Sequence, residues 1–225
     1  ITEFYDRSIV SLKRMKKYIH LDKKYISCSS NISCTKLARY LHDNKQPGYE
    51  FLYGIPGTIA GAVSMNAGAF EREIMPYVYS LDLLDENGEI YTLKNNEISY
   101  SYRTSNINEK SIIISVKLFK QTTNFDMNLL NLLNQKRKIS QPINQLSCGC
   151  IFKNPRGDYA ARLIDSAQLK GSRAGGIYIS HKHSNYFIND GSGTYIDFLV
   201  LLRRVKEVIA SKFSVKLDEE VILLK

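Results

Sequence analysis

A run of small residues between Gly54 and Phe70, GIPGTIAGAVSMNAGAF, constrains the fold of this 225-residue chain more than any other feature. It holds four glycines and four alanines. Glycine permits close approach, so something other than a side-chain core must lie against this backbone. Pro56, Gly57 and Thr58 are suited to open a helix, and unpaired N–H groups at a helix start attract anions such as pyrophosphate. A tightly packed helix crossing would need the same small residues, and spacing alone leaves both interpretations open.

Size and composition indicate a globular protein with two modest domains. The chain is 44% hydrophobic and 24% charged, which is ordinary for soluble proteins. Its longest apolar runs, such as Ile112–Val116 and Phe198–Leu202, are much shorter than the ~20 residues of a membrane-spanning helix. No basic-then-apolar signal sequence opens the chain, so we expect a cytoplasmic protein without a membrane partner.

The charge is positive, since 31 lysines and arginines stand against 22 acidic residues and give a net charge of +9. A polyanion or a small anionic substrate could use this excess. The cluster Lys13–Lys17 is typical of a solvated face, and no nucleic-acid motif is present. We therefore expect no nucleic-acid partner, with binding of nucleic acid through this surface as an alternative.

The four cysteines, Cys28, Cys34, Cys148 and Cys150, lack the C-x-x-C pairing of many metal sites and are too few for a disulfide framework. We expect reduced thiols. Cys148 and Cys150 alternate and would face the same way on a strand, yet no further metal ligands accompany them. The histidines of Ser180–His183 also alternate rather than lying at helical spacing, so no metal site is predicted.

Hydrophobic periodicity and turn residues predict an α+β chain whose first half forms a largely antiparallel sheet, with a hairpin at Asn87-Gly88. The predicted strands are Ser8–Leu12, Tyr18–Leu21, Tyr25–Cys28, Tyr77–Leu84, Glu89–Leu93, Ile112–Lys120, Ile151–Phe152, Ile177–Ile179, Tyr186–Ile188 and Val221–Leu224.

Helical periodicity predicts four further elements. The first is capped by Ser33 and has Leu37, Ala38 and Leu41 on its inner face. The others cover Asn128–Lys138, Tyr159–Ala167 and Tyr195–Lys212, the last with Ile196, Leu199, Leu202 and Val205 inside. Gln141-Pro142 ends the second helix and is the candidate domain boundary.

Three other stretches carry chemically capable side chains. Ser147–Pro155, SCGCIFKNP, is either a compact polar site or a structural turn. Arg103 follows a strand and would ordinarily form a surface ion pair, but a guanidinium suits developing enolate charge. The acids of Leu217–Val221 would otherwise be solvated, and Glu220 makes chemical sense beside Arg103 only if folding brings the two together.

Four motifs, in order, resemble the UDP-N-acetylenolpyruvoylglucosamine reductase (MurB) family of flavoenzymes. They are the Gly54–Phe70 run, the YRTS of residues 102–105, the Ser147–Pro155 stretch and the LDEEV of residues 217–221. LKG at 170 and SHKH at 180 also resemble family motifs. The resemblance covers essentially the whole chain.

The resemblance implies the FAD-binding two-domain architecture of the vanillyl-alcohol-oxidase/MurB type, with a C-terminal α+β domain that binds substrate. The FAD-binding region would cover 1–142 and the substrate-binding domain 143–219, with a strand at 220–225 returning to the FAD-binding region. The family's longer type has an inserted segment that is absent here, so the shorter type is indicated. Because the family also has an upstream glycine-rich flavin-phosphate loop, we expect the chain to lack its N-terminal part.

The activity implied by the resemblance is the NADPH-dependent, FAD-mediated reduction of UDP-N-acetylglucosamine enolpyruvate to UDP-N-acetylmuramate, in peptidoglycan synthesis. Cys150 would donate the proton, with Arg103 and Glu220 stabilising the enol. Flavin contacts would come from Gly54, Ile55, Pro56, Gly57, Thr58, Gly61, Asn66, Ala67 and Gly68. Substrate contacts would come from Tyr102, Lys153, Asn154 and Lys182. We expect a monomer, and the alternative is a non-catalytic flavin- or nucleotide-binding remnant of the family.

The chain departs from the family pattern at Ala60 and Glu71, where glycine is usual, and at Cys150, where the family has serine. A thiol titrates near pH 8.5 and an alcohol is far weaker, so we expect Cys150 to retain acid function. Lys153 nearby would favour the thiolate and make Cys150 sensitive to alkylation.

Overall fold

The computed structural model describes residues 10–223 and divides them into two compact units, 10–136 and 137–223. The division falls inside a helix, Leu129–Ser140. This helix confirms the element predicted at Asn128–Lys138, and it ends just before Gln141-Pro142, as expected for a residue that precedes proline. The domain limits expected from the family resemblance stay predictions.

The first unit is built on a five-stranded antiparallel sheet with the order β1-β2-β9-β5-β6. Short strand pairs β3–β4 and β7–β8 form two separate hairpins. The strands are β1 Ile19–Leu21, β2 Tyr25–Ser29, β3 Gly68–Ala69, β4 Arg72–Glu73, β5 Val78–Leu84, β6 Ile90–Lys94, β7 Tyr100–Ser101, β8 Thr104–Ser105 and β9 Ile112–Phe119. The predicted antiparallel sheet is confirmed, and the predicted Asn87-Gly88 turn joins β5 to β6.

Helix α1, Cys34–Asp43, begins where the sequence predicts. The hydroxyl of Ser33 accepts the N–H of Lys36 and so satisfies one of the first-turn donors. The three apolar residues predicted for its inner face, Leu37, Ala38 and Leu41, are all buried in the core of this unit. A second, short helix, α2, Ile59–Ser64, lies within the glycine–alanine run.

The second unit packs two further helices and a small sheet around its own apolar core. Its elements are the end of helix α3 (Leu129–Ser140), α4 Ala160–Ser166, β10 Arg173–Ala174, β11 Ile177–Ile179, β12 Phe187–Asn189 and α5 Tyr195–Phe213. The three strands pair antiparallel in the order β10-β11-β12. Thr194 and Asp197 form a reciprocal capping box at the start of α5.

The inner face of α5 differs from the prediction. Phe198, Leu202 and Val205 are buried, but Ile196 is 61% exposed, so its predicted burial is wrong. A helix turns by about 100° per residue, and Ile196 therefore lies on the face opposite Phe198. The remaining predicted residue, Leu199, is partly buried at the margin of the core.

Three predicted strands are not regular strands in the described residues. Of Ile151–Phe152, only Phe152 takes part in a bridge, an isolated one with Glu219. Of Ser8–Leu12, residues 8 and 9 lie outside the described range, and Leu12 begins a 3-10 turn. Of Val221–Leu224, Leu224 lies outside the described range and 221–223 form no strand.

The turn between β3 and β4 is strained. Its two central residues, Phe70 and Glu71, have φ angles of 54° and 61°, as a type I′ turn requires. Such turns favour asparagine and glycine, because a left-handed conformation brings a Cβ too close to the next carbonyl. This finding gives a backbone reason for the glycine that the family pattern usually has at position 71.

Replacing Glu71 with glycine is therefore expected to stabilise the first unit by about 0.5–1 kcal/mol. The left-handed conformation costs ~1–2 kcal/mol, and the greater freedom of unfolded glycine offsets ~0.5–1 kcal/mol of that gain. Urea denaturation of Glu71→Gly against wild type measures the change. Glu109→Gly is the matched control, since Glu109 is exposed and has no positive φ, and should lower stability. Equal losses in both variants would contradict strain at Glu71.

Candidate active site

The start of helix α2 is built differently from the sequence prediction. Thr58 caps the helix, and the first two N–H groups of the helix, from Ile59 and Ala60, donate to the carbonyls of Ile32 (2.8 Å) and Ser30 (2.9 Å). The third N–H group bonds to the Thr58 hydroxyl at 3.4 Å. The expectation that this helix start presents unpaired N–H groups to an anion is therefore wrong for the first turn, because the neighbouring backbone already accepts them.

The loop just before α2 nevertheless fits a flavin nucleotide. Pro56, Gly57 and Thr58 are exposed, and a Cβ at Gly57 would meet no heavy atom within 4 Å. Within residues 10–223, no acceptor faces the N–H groups of Gly57 and Thr58. Beside this loop, the hydroxyl of Ser30 and the side-chain oxygen of Asn31 are buried without a hydrogen-bond partner. Buried orphan polar atoms next to an open, glycine-lined surface are what a polar cofactor would satisfy.

Gly54, Ile55 and Gly61 are also predicted to contact the flavin, and they differ in how far they are buried. Gly54 is partly buried and donates its N–H to the Thr35 hydroxyl at 3.3 Å. Ile55 packs against the core, whereas Gly61 lies on the exposed side of α2. Backbone contact with FAD therefore stays a prediction for Gly61 and for the loop that precedes α2.

The side chain of Asn66 forms hydrogen bonds with three residues outside its own segment. Its side chain is fully buried, and its φ of 47° places it in the left-handed region. The amide nitrogen donates to a carboxylate oxygen of Glu73 (2.8 Å) and to the carbonyl of Ser101 (2.9 Å), and the amide oxygen accepts the N–H of Met75 (3.1 Å). Because protein groups occupy this side chain, we expect Asn66 to shape the site rather than to contact flavin through its amide.

Gly68 and Ala67 are explained by packing within the protein. A Cβ at Gly68 would lie 2.1 Å from the carbonyl oxygen of Arg72, across the β3–β4 hairpin. Ala67 is 5% exposed, and its carbonyl accepts the N–H of Ile74 at 3.0 Å. The close approach predicted at Gly68 is therefore made by the chain's own backbone, while any contact with a flavin stays a prediction.

The structure brings Arg103 against the glycine–alanine run. The guanidinium donates to the carbonyls of Gly68 (2.7 Å) and Asn66 (3.4 Å), lies 3.9 Å from a carboxylate oxygen of Glu73, and stacks 4.9 Å above the Tyr102 ring. Its side chain is only 15% exposed. Arg103 also has a φ of 55°, and residues held in this strained region concentrate at functional sites.

Glu73 is a site residue that the sequence reasoning missed. Its two carboxylate oxygens contact different partners, one bonded to the Asn66 amide and the other near the Arg103 guanidinium. No motif singles Glu73 out, because its role depends on a hairpin that returns beside residues far along the chain. A single acid next to the glycine–alanine run was the only signal.

In the second unit, the segment around Cys150 is held between two neighbours. Cys150 lies directly opposite Tyr186 in an antiparallel bridge, and the N–H of Ile151 donates to the carbonyl of Asn185 at 2.9 Å. On the other side, the N–H of Glu220 donates to the carbonyl of Ile151 at 2.8 Å. The structure therefore brings the predicted proton donor and the predicted catalytic glutamate to the same short stretch of backbone.

Asn185 fixes this segment and was not predicted. It is 2% exposed, its amide oxygen accepts the N–H of Phe152 (3.0 Å), and its amide nitrogen donates to the carbonyl of the same residue (2.8 Å). The N–H of Asn185 donates to Nδ1 of His183 at 3.3 Å. Burial lowers the pKa of His183, which favours the neutral ring that can accept this bond.

The two cysteines of this segment do not share an extended strand. Gly149 between them has a φ of 90°, so the alternation expected for Cys148 and Cys150 is interrupted, with Cys148 exposed and Cys150 partly buried. Among the residues described, no group of three histidine, cysteine or acidic side chains is arranged to hold a metal ion.

Three of the four predicted substrate residues lie in this unit and are exposed or partly exposed, whereas Tyr102 belongs to the first unit. The N–H of Lys153 donates to the carbonyl of Asp218 at 2.8 Å, and Asn154 accepts the N–H of Ala160 at the start of α4, at 3.1 Å. Lys182 donates to the carbonyl of Lys138 at 2.5 Å. It lines a cavity of about 530 Å³ whose other polar side chains include Lys138, Asn144, Gln145, Tyr178 and His181.

Two family models match the chain. The FAD binding domain model matches residues 2–94, and the model for the C-terminal domain of UDP-N-acetylenolpyruvoylglucosamine reductase matches residues 141–224. Together with the two-unit α+β fold, they define a flavoprotein with an FAD-binding domain followed by a second, distinct domain.

Individual relatives narrow this class. The UDP-N-acetylenolpyruvoylglucosamine reductase of Fusobacterium nucleatum subsp. nucleatum is 34% identical over 223 residues, which cover 99% of this chain and 79% of that protein. The one from Caldanaerobacter subterraneus subsp. tengcongensis is 37% identical over 216 residues, covering 95% and 71%. The crystal structure of the Thermus caldophilus enzyme (MurB) matches with a TM-score of 0.75 at 30% identity, covering 85% of this chain and 70% of that one. The chain belongs to the UDP-N-acetylenolpyruvoylglucosamine reductase family.

The family, the α+β FAD-binding fold and the FAD cofactor predicted from sequence are confirmed by these matches. The chain is accordingly a flavin-dependent oxidoreductase. Within residues 10–223, no helix is both long enough and apolar enough to cross a membrane. The catalytic and binding roles of individual residues stay predictions.

Asn66→Asp tests whether this buried amide holds the site together. The substitution keeps the shape but replaces two donors with an acceptor that faces Glu73 and the Ser101 carbonyl, so we expect a loss of about 2–4 kcal/mol in the free energy of unfolding. Urea denaturation measures it. Asn131→Asp is the control, since Asn131 is exposed on α3 and should change stability by less than about 0.5 kcal/mol. A similar small effect in both variants would show that the Asn66 bonds carry little energy.

Proposed function

We propose that this protein reduces the enolpyruvyl group of UDP-N-acetylglucosamine enolpyruvate to give UDP-N-acetylmuramate, with Cys150 as proton donor and Arg103 and Glu220 stabilising the enol. The observation that carries the assignment of the site is the contact of Arg103 with the carbonyls of Asn66 and Gly68. The chemistry that FAD supplies when bound is the transfer of a hydride from NADPH to C3 of the enolpyruvyl group. Gly57, Thr58 and the exposed side of α2 are the surfaces proposed to hold the cofactor.

Arg103 is suited to stabilise the negative charge that develops on the substrate's carboxylate and enol. A guanidinium stays protonated and offers a rigid set of donors. Because backbone carbonyls and Glu73 already orient it, little reorganisation accompanies the reaction, and such preorganised charge is worth most in a site that excludes water. Tyr102, stacked on the guanidinium, restricts its other face.

Cys150 is proposed to protonate C2. General acid catalysis contributes about 10²–10⁴-fold when the acid is positioned and its acidity suits the operating pH. A thiol satisfies the second requirement better than an alcohol. The first is supported by the two flanking hydrogen bonds that fix Ile151, and by Asn185, which fixes Phe152.

The UDP portion of the substrate is proposed to use the cavity beside α3. Lys138, His181 and Lys182 line it, and their donors suit a diphosphate, while Asn144 and Gln145 offer amides of the kind that read a pyrimidine ring. Lys153 and Asn154 are proposed to complete substrate binding. We further propose that the enzyme acts as a monomer in the cytoplasm without membrane or nucleic-acid partners, as expected for an enzyme of a small nucleotide sugar.

Cys150→Ala should lower the rate of enolpyruvyl reduction by about 10²–10⁴-fold, because the positioned acid is lost. The rate at which NADPH bleaches the FAD absorbance should be unchanged, since that step precedes proton donation. Stopped-flow absorbance of the FAD-loaded protein separates the two steps. Cys148→Ala is the matched control, two residues away and exposed, and should keep both rates. Full turnover in Cys150→Ala would refute the assignment of the proton donor.

Arg103→Lys should retain the positive charge but lose the rigid fork that two carbonyls orient, and we expect the rate of reduction to fall by at least about 10-fold. Steady-state kinetics with the enolpyruvyl substrate measures this change. Arg162→Lys alters an exposed ion pair with Asp158 and should have no effect on the rate. If both variants were equally active, Arg103 would have no role in stabilising the enol.

A further inference from the structure

Tyr186 faces the proposed proton donor directly. It is the bridge partner of Cys150, and the hydrogen bond from Ile151 to the Asn185 carbonyl lies beside the pair rather than within it. This pattern defines a non-hydrogen-bonded antiparallel pair, in which the Cα atoms are about 4.5 Å apart and the two side chains lie on one face. No sequence motif indicates a role for Tyr186.

The Tyr186 ring is buried and oriented. It is 6% exposed, and the His183 ring packs edge-on against it, with the centroids 4.8 Å apart and an interplanar angle of 66°. Its phenol interacts electrostatically with groups from three other segments. These groups are Arg137 in α3, Cys150, and Glu220 near the C-terminal end. The phenol is therefore close enough to the proposed acid and to the proposed catalytic carboxylate to feel the charge of both.

The phenol is a hydrogen-bond donor at neutral pH. Burial, followed by the nearby Cys150 and Glu220, raises the pKa of Tyr186 to about 12, although Arg137 acts in the opposite direction through its charge and a hydrogen bond. Arg137 can only donate, so the Tyr186 oxygen accepts from it and keeps its own proton for another acceptor. The sulfur of Cys150 and the carboxylate of Glu220 are acceptors that act on this phenol.

Arg137 lies in helix α3 and interacts with the Tyr186 phenol. Its Nε atom is buried without a hydrogen-bond partner, although the rest of its guanidinium reaches Tyr186. Burying an unsatisfied donor costs about 1–3 kcal/mol. A structural arginine would more often be fully paired, so this arrangement indicates a group placed for the neighbouring site.

We propose that Tyr186 is a positioning residue for Cys150: its hydroxyl, held by Arg137, donates a hydrogen bond to the sulfur as the proton leaves it. This inference rests on the proposed role of Cys150 as proton donor. It explains why a buried phenol lies directly opposite a thiol and interacts with an arginine whose Nε is unpaired.

The step is balanced without any additional reactant. The S–H bond of Cys150 breaks while a C–H bond forms at C2 of the substrate, and the electron pair of the S–H bond stays on sulfur as a thiolate. Tyr186 keeps its proton and donates a hydrogen bond to the developing negative charge. Hydrogen bonds to charged groups are stronger than those to neutral ones, so the interaction favours the transition state over the resting thiol.

The test uses Tyr186→Phe, which keeps the ring and removes only the hydroxyl. In a Cys148→Ala background, where the buried Cys28 and Cys34 react slowly, alkylation of Cys150 by iodoacetamide is followed against pH by peptide mass spectrometry. The pH of half-maximal alkylation should rise by about one unit or more, and kcat should fall by about 10–100-fold with little change in KM. Reduction of FAD by NADPH should keep its rate.

Two further variants separate this role from a general structural effect. Tyr91→Phe removes a hydroxyl that bonds Ser111 at 2.9 Å in the other unit and should alter neither alkylation nor kcat. Arg137→Gln should shift the alkylation profile in the same direction as Tyr186→Phe. Combining it with Tyr186→Phe should add nothing, because both act through the same hydroxyl.

An unchanged alkylation profile in Tyr186→Phe would overturn the proposal, as would a fall in kcat that persists at full size in a Cys150→Ala background. If alkylation shifts as expected but the wild-type, FAD-loaded protein does not reduce the enolpyruvyl substrate, the positioning of the thiol stands and the proposed function fails. The alkylation readout therefore distinguishes the two.

Discussion

The candidate site residues of the first unit depend on one buried amide. Asn66 bonds Glu73, Ser101 and Met75 at once, so it joins the end of the glycine–alanine run to the β3–β4 hairpin and to the hairpin that carries Arg103. A buried amide is costly unless it is fully bonded, and here that requirement fixes the positions of all three partners. The carbonyl of the same residue then accepts the guanidinium of Arg103. Asn66 thus helps to position the guanidinium of Arg103.

In the second unit, a different buried amide has a similar role. Asn185 bonds both backbone groups of Phe152, and the flanking bonds of Ile151 hold Cys150 opposite Tyr186 and close to the Glu220 backbone. None of these residues lies in a regular strand, so only isolated bridges supply backbone hydrogen bonds to the segment. The side-chain amide of Asn185 adds to them, which allows a short irregular segment to hold a reactive side chain in one orientation.

Local elements could be predicted from the sequence because their causes are local. Ser33 caps α1, and the spacing of Leu37 and Leu41 gives its buried face, as expected. The family motifs led to Arg103 and Cys150, and the structure places each within a network of hydrogen bonds. The orientation of α5 was only partly predictable, since Ile196 is apolar but lies on the exposed face and periodicity alone could not decide the register.

Long-range partners could not be predicted in the same way. Glu73, Asn185 and Tyr186 acquire their roles from backbone segments that approach them only in the folded chain. The free N–H groups expected at the start of α2 illustrate the same limit, because the carbonyls of Ser30 and Ile32 that satisfy them belong to a separate loop. A motif identifies which residue types are present, but hydrogen-bond satisfaction is a property of the whole fold.

The proposed chemistry at position 150 depends on whether the proton donor is a thiol or a hydroxyl. A serine hydroxyl leaves as a strongly basic alkoxide and needs much help to lose its proton, whereas a thiol leaves as a stable, larger and more weakly solvated anion. The environment of a thiol must therefore control when the proton is released rather than force its release. A neutral phenol can stabilise a thiolate without supplying a full positive charge, because a hydrogen bond to an anion is stronger than one to a neutral group. Tyr186, directly opposite Cys150, therefore suits a site in which the anion forms only as the proton moves to the substrate.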